Sequence, residues 1–140
     1  MTTAAGDEAQ RVRAVAWVCV RGGLLLGVRT HGKDAFYFPG GKPEAGEGDR
    51  DALCREVAEE LCVRLVPDSL ALLDTYTAPA HGYPDGSMVQ LSCYTAGYRG
   101  EFVASAEIAE LGWFGYGDRA RLAPVDQLIA DDLHAAGRLH

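Results

Sequence analysis

The stretch from Asp49 to Leu61 restricts the fold of this sequence more than any other stretch of similar length. Leu53, Val57 and Leu61 recur at intervals of four residues, which predicts a helix with one continuous apolar stripe. Asp49 is predicted to be the N-cap, because its side chain can accept a hydrogen bond from a free amide of the first turn. We therefore expect an amphipathic helix over about 49–62.

Three glutamates, Glu56, Glu59 and Glu60, lie together on this predicted helix. At about 100° per residue their carboxylates project as one cluster, and Arg55 is the cation next to them. Such a cluster has two interpretations. It is either a solvated acidic face or a set of hard oxygen ligands for Mg²⁺ or Mn²⁺. The helix alone does not decide between them.

The charge of the chain is concentrated around the same helix. The formal net charge is −7, and the window from Glu44 to Glu60 holds seven acidic and two basic residues. Such a surface repels a polyanion unless cations intervene. A nucleic-acid polymer is therefore not expected as a partner.

The length of 140 residues and the 48% hydrophobic content suit a globular protein. We expect a single domain over 1–140, with residues 1–10 as a flexible tail. No apolar stretch reaches the roughly 20 residues of a membrane span, so we expect a cytoplasmic protein with no membrane partner, either a monomer or a homodimer. The four cysteines form no Cys-x-x-Cys pair and are expected to be reduced, partly buried thiols.

Apolar runs on both sides of the predicted helix indicate β-strands. Val12–Val20 and Leu24–Val28 flank a break at Arg21-Gly22-Gly23 and predict a hairpin. Residues 89–94 alternate in polarity, which predicts a strand with Tyr94 on its wetter face. The other predicted elements are extended segments at 36–38, 70–78 and 111–114 and a helix at Pro124–Ala136 that stops at Gly137. Strands flanked by two helices predict a mixed α/β layered fold.

The spacing of glycines and charges around the helix is more specific than the helix itself. Gly41 is followed after five residues by Glu47, and after seven more by Arg55-Glu56-Val57-Ala58-Glu59-Glu60-Leu61, with Val63 beyond. This pattern resembles the Nudix box. Phe38-Pro39-Gly40-Gly41-Lys42 and the later Glu107-Ile108-x-Glu110-x-x-Trp113-Phe114 are also similar to segments of small MutT-type members, so the likeness covers nearly the whole chain.

The resemblance implies an α/β fold, namely a Nudix-type α/β/α sandwich with a mixed β-sheet and the box helix on one face. It also implies divalent cations that bridge the diphosphate of a small nucleotide substrate. The expected cation is Mg²⁺, with Mn²⁺ as its substitute. By that likeness the metal ligands are the carboxylates of Glu56, Glu59, Glu60 and Glu107 and the backbone carbonyl of Gly40.

The resemblance assigns supporting and catalytic roles as well. Arg55 holds the first glutamates in position by bidentate hydrogen bonding, and Glu47 is the loop carboxylate that supports the site. Bridging metals neutralise the phosphates and lower the pKa of a bound water. One glutamate then acts as general base, and Glu56, Glu59 and Glu107 remain alternatives for that role.

One position departs from the box. The glycine expected before Val63 is Cys62, and a left-handed turn there costs a non-glycine residue roughly 1–2 kcal/mol. The helix is therefore expected either to run past Cys62 or to end differently. Cys62 has either a redox role or buried packing as its function.

Further residues are candidates for substrate contacts. Arg29, His31 and Lys42 are candidates for phosphate, although Arg29 and His31 also suit a solvated loop. Tyr37 and Phe38 suit a base pocket or core packing. The last candidates are His81 and Tyr83 on the 79–87 loop, as a cover for the substrate, and Asp126 and Gln127, as readers of a base edge.

Three functions follow from the resemblance. The first is hydrolysis of a (deoxy)nucleoside triphosphate, possibly oxidised, to monophosphate and pyrophosphate, which suits nucleotide-pool sanitation. The second is hydrolysis of ADP-ribose, a nucleotide sugar or a dinucleoside polyphosphate. The third is a non-catalytic Nudix domain that senses a ligand, although such domains typically lose box glutamates and this sequence keeps them.

Overall fold

The computed structural model describes residues 11–79 and 86–140. Within them the strands are β1 (Arg11–Trp17), β2 (Val20–Arg21), β3 (Leu24–Thr30), β4 (Gly40–Gly41), β5 (Arg64–Leu65), β6 (Ala71–Pro79), β7 (Met88–Thr95), β8 (Tyr98–Arg99) and β9 (Ile108–Phe114). The helices are α1 (Asp49–Leu61), α2 (Pro124–Ala135) and two 3-10 turns, Pro67–Ser69 and Tyr116–Arg121. The predicted tail at 1–10 and the predicted covering residues His81 and Tyr83 lie outside the described residues.

The strands form a four-stranded mixed sheet and a three-stranded antiparallel sheet. The mixed sheet has the order β4-β1-β7-β6, and β1 runs parallel to β7 from Arg11 opposite Met88 to Trp17 opposite Tyr94. The second sheet has the order β2-β3-β9, and β5 pairs with β8 separately. The predicted mixed α/β class is therefore confirmed.

The predicted N-terminal hairpin is wrong in its extent. Val12–Val20 is not one strand, because the chain leaves the mixed sheet after Trp17 and enters the antiparallel sheet at Val20. Only β2 pairs with β3, across the turn at Gly22 and Gly23. The run is apolar apart from Arg13 and rich in valine on both sides of Trp17, so its composition gave no sign of the change of sheet.

Alternate residues of β1, a central strand of the mixed sheet, face the two helices. Val15 and Trp17 belong to the core cluster that contains the apolar stripe of α1. Ala16 and the following Val18 belong to the cluster that contains the buried face of α2. Because successive side chains of a strand point to opposite sides, the sheets lie between the two helices. This is the predicted α/β/α sandwich with the box helix on one face.

The ends of α1 differ from the sequence-based expectation. Its N-cap is Gly48 without a side-chain cap, so Asp49 is the first helical residue and not the cap. The helix does not run on, because Cys62 adopts the left-handed conformation with φ 62° and donates its amide hydrogen to the carbonyl of Ala58. Cys62 is exposed, so the expectation of a buried thiol is wrong at this position.

The remaining elements follow the predictions with one exception. Pro124 opens α2, and Gly137 has φ 74° just beyond its end. Tyr94 is buried rather than on a wet face, since its side of the sheet is covered by the core on the α1 side. Among the described residues the cysteines are free, and neither α-helix is long and apolar enough to cross a bilayer.

Candidate active site

Residues 36–40 lie between five different parts of the protein. Phe36 exchanges backbone hydrogen bonds with Arg121 and Ala123, and Tyr37 with Val28. The amide of Phe38 donates to Asp126 Oδ2 at 2.8 Å, and the carbonyl of Pro39 accepts from Trp17 at 2.8 Å. The amide of Gly40 donates to Glu60 Oε1 at 3.0 Å. We call residues 38–40 the linking segment, because its amides contact two carboxylates on two different helices.

The glycine pair that follows allows the backbone to approach the box helix. A Cβ atom on Gly41 would overlap the carboxylate of Glu56, and one on Gly40, which has φ 153°, would overlap the carbonyl of Val15. Both glycines pair with β1 in antiparallel register. Backbone and carboxylate oxygens are therefore close together at this point, as a site for a hard cation requires.

Arg55 connects the loop before the helix to the glutamates on it. Its Nε and Nη2 atoms donate to the two carboxylate oxygens of Glu47, both at 2.9 Å. Its Nη1 atom donates to Glu56 at 2.6 Å and to Glu59 at 3.2 Å. The bidentate pair with Arg55 lowers the pKa of Glu47 to about 2. The bidentate partner is thus the loop glutamate, and Arg55 orients the helix glutamates through one nitrogen.

Two carboxylates in front of this loop, Glu60 and Glu56, hold a proton more tightly than usual. Burial raises the pKa of Glu60 to about 8 against the opposing Gly40 hydrogen bond, and Glu56, Glu107 and Glu59 add to the rise. Burial also raises the pKa of Glu56, partly offset by Arg55. The side chain of Glu59 is 61% exposed and Glu107 is exposed, so the cluster opens to solvent on one side.

The donor set of this cluster suits Mg²⁺ or Mn²⁺ and not a soft metal. Carboxylate and carbonyl oxygens are hard ligands, and repulsion among the glutamates gives a cation a favourable place to bind. Within the described residues, however, no three acidic, histidine or cysteine side chains are placed so that they could hold a metal ion together. In this arrangement Glu56 and Glu60 hydrogen-bond to Arg55 and Gly40 instead.

A cavity of about 290 Å³ extends from this cluster towards α2. Glu60, Gly40 and Gly41 border it on the side of the cluster, and Asp126 borders it on the side of α2. Its walls are largely apolar, formed by β1, β7 and the segment around Tyr37 and Phe38; the wall residues include Val12, Ala14, Ala16, Val89 and Leu91.

Asp126 is the buried charge of this cavity. Its exposure is 2%, and burial raises the pKa of its carboxyl to about 7 against the hydrogen bond from Phe38. Within the described residues, the hydrogen bond that the structure shows to this carboxyl uses Oδ2.

The predicted substrate residues divide into two groups. Tyr37, Phe38 and Lys42 border the cavity. Arg29 and His31 do not border it. Arg29 instead donates to Glu110 at 2.9 Å and to the carbonyl of Lys33 at 3.2 Å. The exposed His31 donates its amide hydrogen to the carbonyl of Glu107.

Two further residues differ from their sequence-based interpretation. Gln127 donates to the carbonyl of Leu122 at 2.8 Å and is not among the cavity residues, unlike Asp126. Lys33 borders the cavity but was not predicted. The period-two pattern of Val12, Ala14 and Ala16 was a usable sign that one face of β1 is apolar, whereas nothing in the sequence placed Lys33 beside it.

Comparison with known proteins agrees with this geometry. The NUDIX domain family model matches residues 9–133 of the chain. No curated protein is similar enough in sequence to match it. The solution structure of the E. coli ORF135 protein is 26% identical, with a TM-score of 0.71, and the match covers 90% of this chain and 92% of that one.

Two other solved structures show the same fold at lower identity. The MutT NUDIX hydrolase from Burkholderia pseudomallei is 24% identical with a TM-score of 0.72, and 87% of this chain and 96% of that chain are covered. The NUDIX hydrolase from Nitrosomonas europaea is 18% identical with a TM-score of 0.72, covering 93% and 92%.

The chain therefore belongs to the Nudix family. The family match supports a pyrophosphohydrolase, and proteins described as MutT are among its structural neighbours. Hydrolases of this family act on small nucleotide substrates and generally use divalent metal ions.

Proposed function

We propose that this protein hydrolyses a (deoxy)nucleoside triphosphate to the monophosphate and pyrophosphate with Mg²⁺, for which Mn²⁺ substitutes. The observation that carries this proposal is one continuous cavity with an acidic cluster at one end and a buried carboxyl at the other. Phosphates bound through cations at Glu60 place the sugar and base of a nucleotide along the apolar walls, towards Asp126. The linear order of the site thus matches the linear order of a nucleotide.

The metal would be held by Glu56, Glu59, Glu60 and Glu107 together with the carbonyl of Gly40. When bound, it neutralises the phosphates and lowers the pKa of a coordinated water. Arg55 keeps Glu56 and Glu59 oriented through its 2.6 Å and 3.2 Å hydrogen bonds, and Glu47 anchors Arg55. A carboxylate of the cluster accepts the proton of the attacking water as general base.

The cavity supports a mononucleotide over larger substrates. Its volume of about 290 Å³ lies at the lower limit of ordinary small-molecule sites, which suits one base and its sugar. Asp126 is the polar group placed to read the edge of that base, with Tyr37 and Phe38 beside it. A second nucleoside or a sugar would extend beyond these walls.

A substrate panel tests the proposal. The purified full chain is incubated with Mg²⁺ or Mn²⁺ and with the four common deoxynucleoside triphosphates, an oxidised purine triphosphate, ADP-ribose, a nucleotide sugar and a dinucleoside tetraphosphate. Products are separated by anion-exchange chromatography. We expect the highest kcat/KM with a triphosphate, and release of pyrophosphate rather than of two separate phosphates.

Two results would count against it. A preference for ADP-ribose, a nucleotide sugar or the dinucleoside tetraphosphate would move the protein to the second class of substrate. A ligand-sensing domain would bind nucleotides without releasing any product, and its metal affinity would be unchanged by Glu59→Gln and Glu60→Gln.

A further inference from the structure

The buried carboxylate of Asp126 and the half-buried carboxylate of Glu60 are connected through three residues of backbone. Asp126 accepts the amide hydrogen of Phe38, and Glu60 accepts the amide hydrogen of Gly40, two residues later. Asp126 lies on α2 and Glu60 on α1, so the linking segment bridges the two helices that cover opposite faces of the sheets. The connection therefore joins the far end of the cavity to the acidic cluster.

The linking segment has little conformational freedom. Phe38 and Pro39 are both buried, and the pyrrolidine ring of Pro39 fixes its φ angle. The carbonyl of Pro39 is held by Trp17 in the middle of the mixed sheet. A displacement of Phe38 cannot be absorbed easily by rotation at Pro39, and it is passed on to Gly40.

We propose that Asp126 is a positioning residue for the metal-binding end of the site, acting through Phe38, Pro39 and Gly40 on the carboxylate of Glu60. This inference rests on the proposed function and deepens it. A base that hydrogen-bonds to Asp126 contacts the same carboxyl that holds Phe38. Binding of the correct base is thereby coupled to the geometry of Gly40 and Glu60. Substrates with different bases therefore differ in kcat as well as in KM.

The competing explanation is that Asp126 only reads the base. Asp126→Ala removes the acceptor for Phe38, whereas Asp126→Asn keeps a carbonyl oxygen of the same shape at that place. Asp132→Ala is the matched control, because Asp132 also lies on α2 and accepts a hydrogen bond from another element, at 2.6 Å from Tyr76, away from the cavity.

Two measurements without nucleotide separate the explanations. The first is hydrogen exchange of the Gly40 amide in the ¹⁵N-labelled full chain without metal. The second is the affinity for Mn²⁺ alone, measured by electron paramagnetic resonance. With Asp126→Ala we expect exchange at Gly40 to be faster, and Mn²⁺ affinity lower, by about tenfold each, at the low end of the effect of outer-shell partners. Asp126→Asn and Asp132→Ala should stay within about twofold of the wild type.

The same variants are then compared with the best triphosphate. A positioning role predicts that Asp126→Ala lowers kcat, whereas Asp126→Asn keeps most of kcat and changes mainly KM and the ranking of bases. If both variants change only KM, and Gly40 exchange and Mn²⁺ affinity are unchanged, Asp126 is a base reader alone and the inference is wrong.

A second variant covers the case in which Asp126→Ala does not fold. Pro39→Ala leaves both carboxylates in place and frees only the backbone between them, so it should also speed exchange at Gly40. Unchanged exchange at Gly40 in Pro39→Ala would contradict the proposal. Because the exchange measurement needs neither metal nor substrate, it distinguishes this inference from the proposed function, which fails instead if no nucleotide is hydrolysed.

Discussion

Glu60 and Asp126 are the same kind of group in two different surroundings. Each carboxylate accepts one amide hydrogen from the linking segment, and burial, partial for Glu60 and complete for Asp126, raises the pKa of each. Glu60 has Glu56, Glu59 and Glu107 around it, whereas Asp126 faces the apolar walls of the cavity. A bound cation would offset the repulsion around Glu60. A neutral hydrogen-bonding partner would instead stabilise the carboxyl of Asp126.

Under the proposed function, this difference would let one cavity recognise both ends of a nucleotide. Repulsion among the four carboxylates destabilises the free protein. The same repulsion favours the binding of divalent cations, which neutralise it. A single carboxyl in an apolar cavity discriminates between hydrogen-bond donors and acceptors, since an unmatched polar group there costs about 1–3 kcal/mol. The predictions below test each half of this comparison.

The largest effect is expected at the acidic end. Glu60→Gln removes the charge of a metal ligand while it keeps an oxygen for the amide of Gly40, so hydrolysis of the best substrate should fall about 10³-fold. Initial rates of pyrophosphate release measure this. Glu101→Gln, at an exposed position away from the site, is the control and should retain full activity. A fall of less than about tenfold would remove Glu60 from the metal site.

The next effect concerns Asp126 and pH. The pKa of its carboxyl is about 7 when folded and about 3.9 when unfolded. The folded state therefore binds the proton more tightly, and its stabilising contribution is lost as pH rises between these values. Between pH 5 and pH 8 the wild type should lose about 3 kcal/mol more unfolding free energy than Asp126→Asn. Urea titrations of both proteins at the two pH values, without metal, measure this difference. Parallel losses in the two proteins would mean that Asp126 is ionised at pH 5.

A third effect distinguishes the two ends by their response to Mg²⁺. A cation at 100 times its dissociation constant stabilises a protein by about 2.7 kcal/mol, which corresponds to a rise in Tm of roughly 10 °C for a protein of this size. We expect that rise in the wild type and in Asp126→Asn, and none in Glu60→Gln. Differential scanning fluorimetry with Mg²⁺ and with a chelator measures it. A full Mg²⁺ response in Glu60→Gln would place the cation elsewhere.

The smallest effect concerns how the helix of Glu60 ends. That helix ends at Cys62 with φ 62°, whereas α2 is followed by Gly137 in a similar conformation. Cys62→Gly removes the strain of a Cβ atom in the left-handed region and should stabilise the protein by about 1 kcal/mol. Cys62→Ala keeps the Cβ atom and should have no such effect in thermal unfolding. Equal stabilisation by both variants would attribute the effect to the thiol.

The acidic end was far more predictable from the sequence than the other end. The presence and the buried face of α1 follow from the repeat of Leu53, Val57 and Leu61, because a four-residue period has few alternatives. The distance from Gly41 to Glu47 and Arg55 is short and local, so the loop brings these residues to the helix without help from the rest of the fold.

The far end of the cavity depends on contacts that sequence patterns do not contain. Asp126 follows Pro124 in the first turn of a helix, where an acidic residue is normally an exposed partner of the helix dipole. It is buried here because residues 36–38 lie against α2, and that contact spans 88 residues of sequence. The change of sheet after Trp17 was missed for the same reason, since the partner that decides it is β7.

The parallel pairing of β1 with β7 also has a consequence for how the chain matures. Arg11 is paired with Met88, so the central strand leaves the ribosome long before its neighbour has been synthesised. Contacts between such distant residues form slowly, because the chain loses the entropy of closing a large loop before those contacts can stabilise it. During that interval β1 is paired only near its end, where Val15 and Ala16 lie opposite Gly41 and Gly40, and its other edge is open, as is typical of chains that aggregate or need chaperones. The strand that supports both ends of the site is thus completed only after β7 has been synthesised.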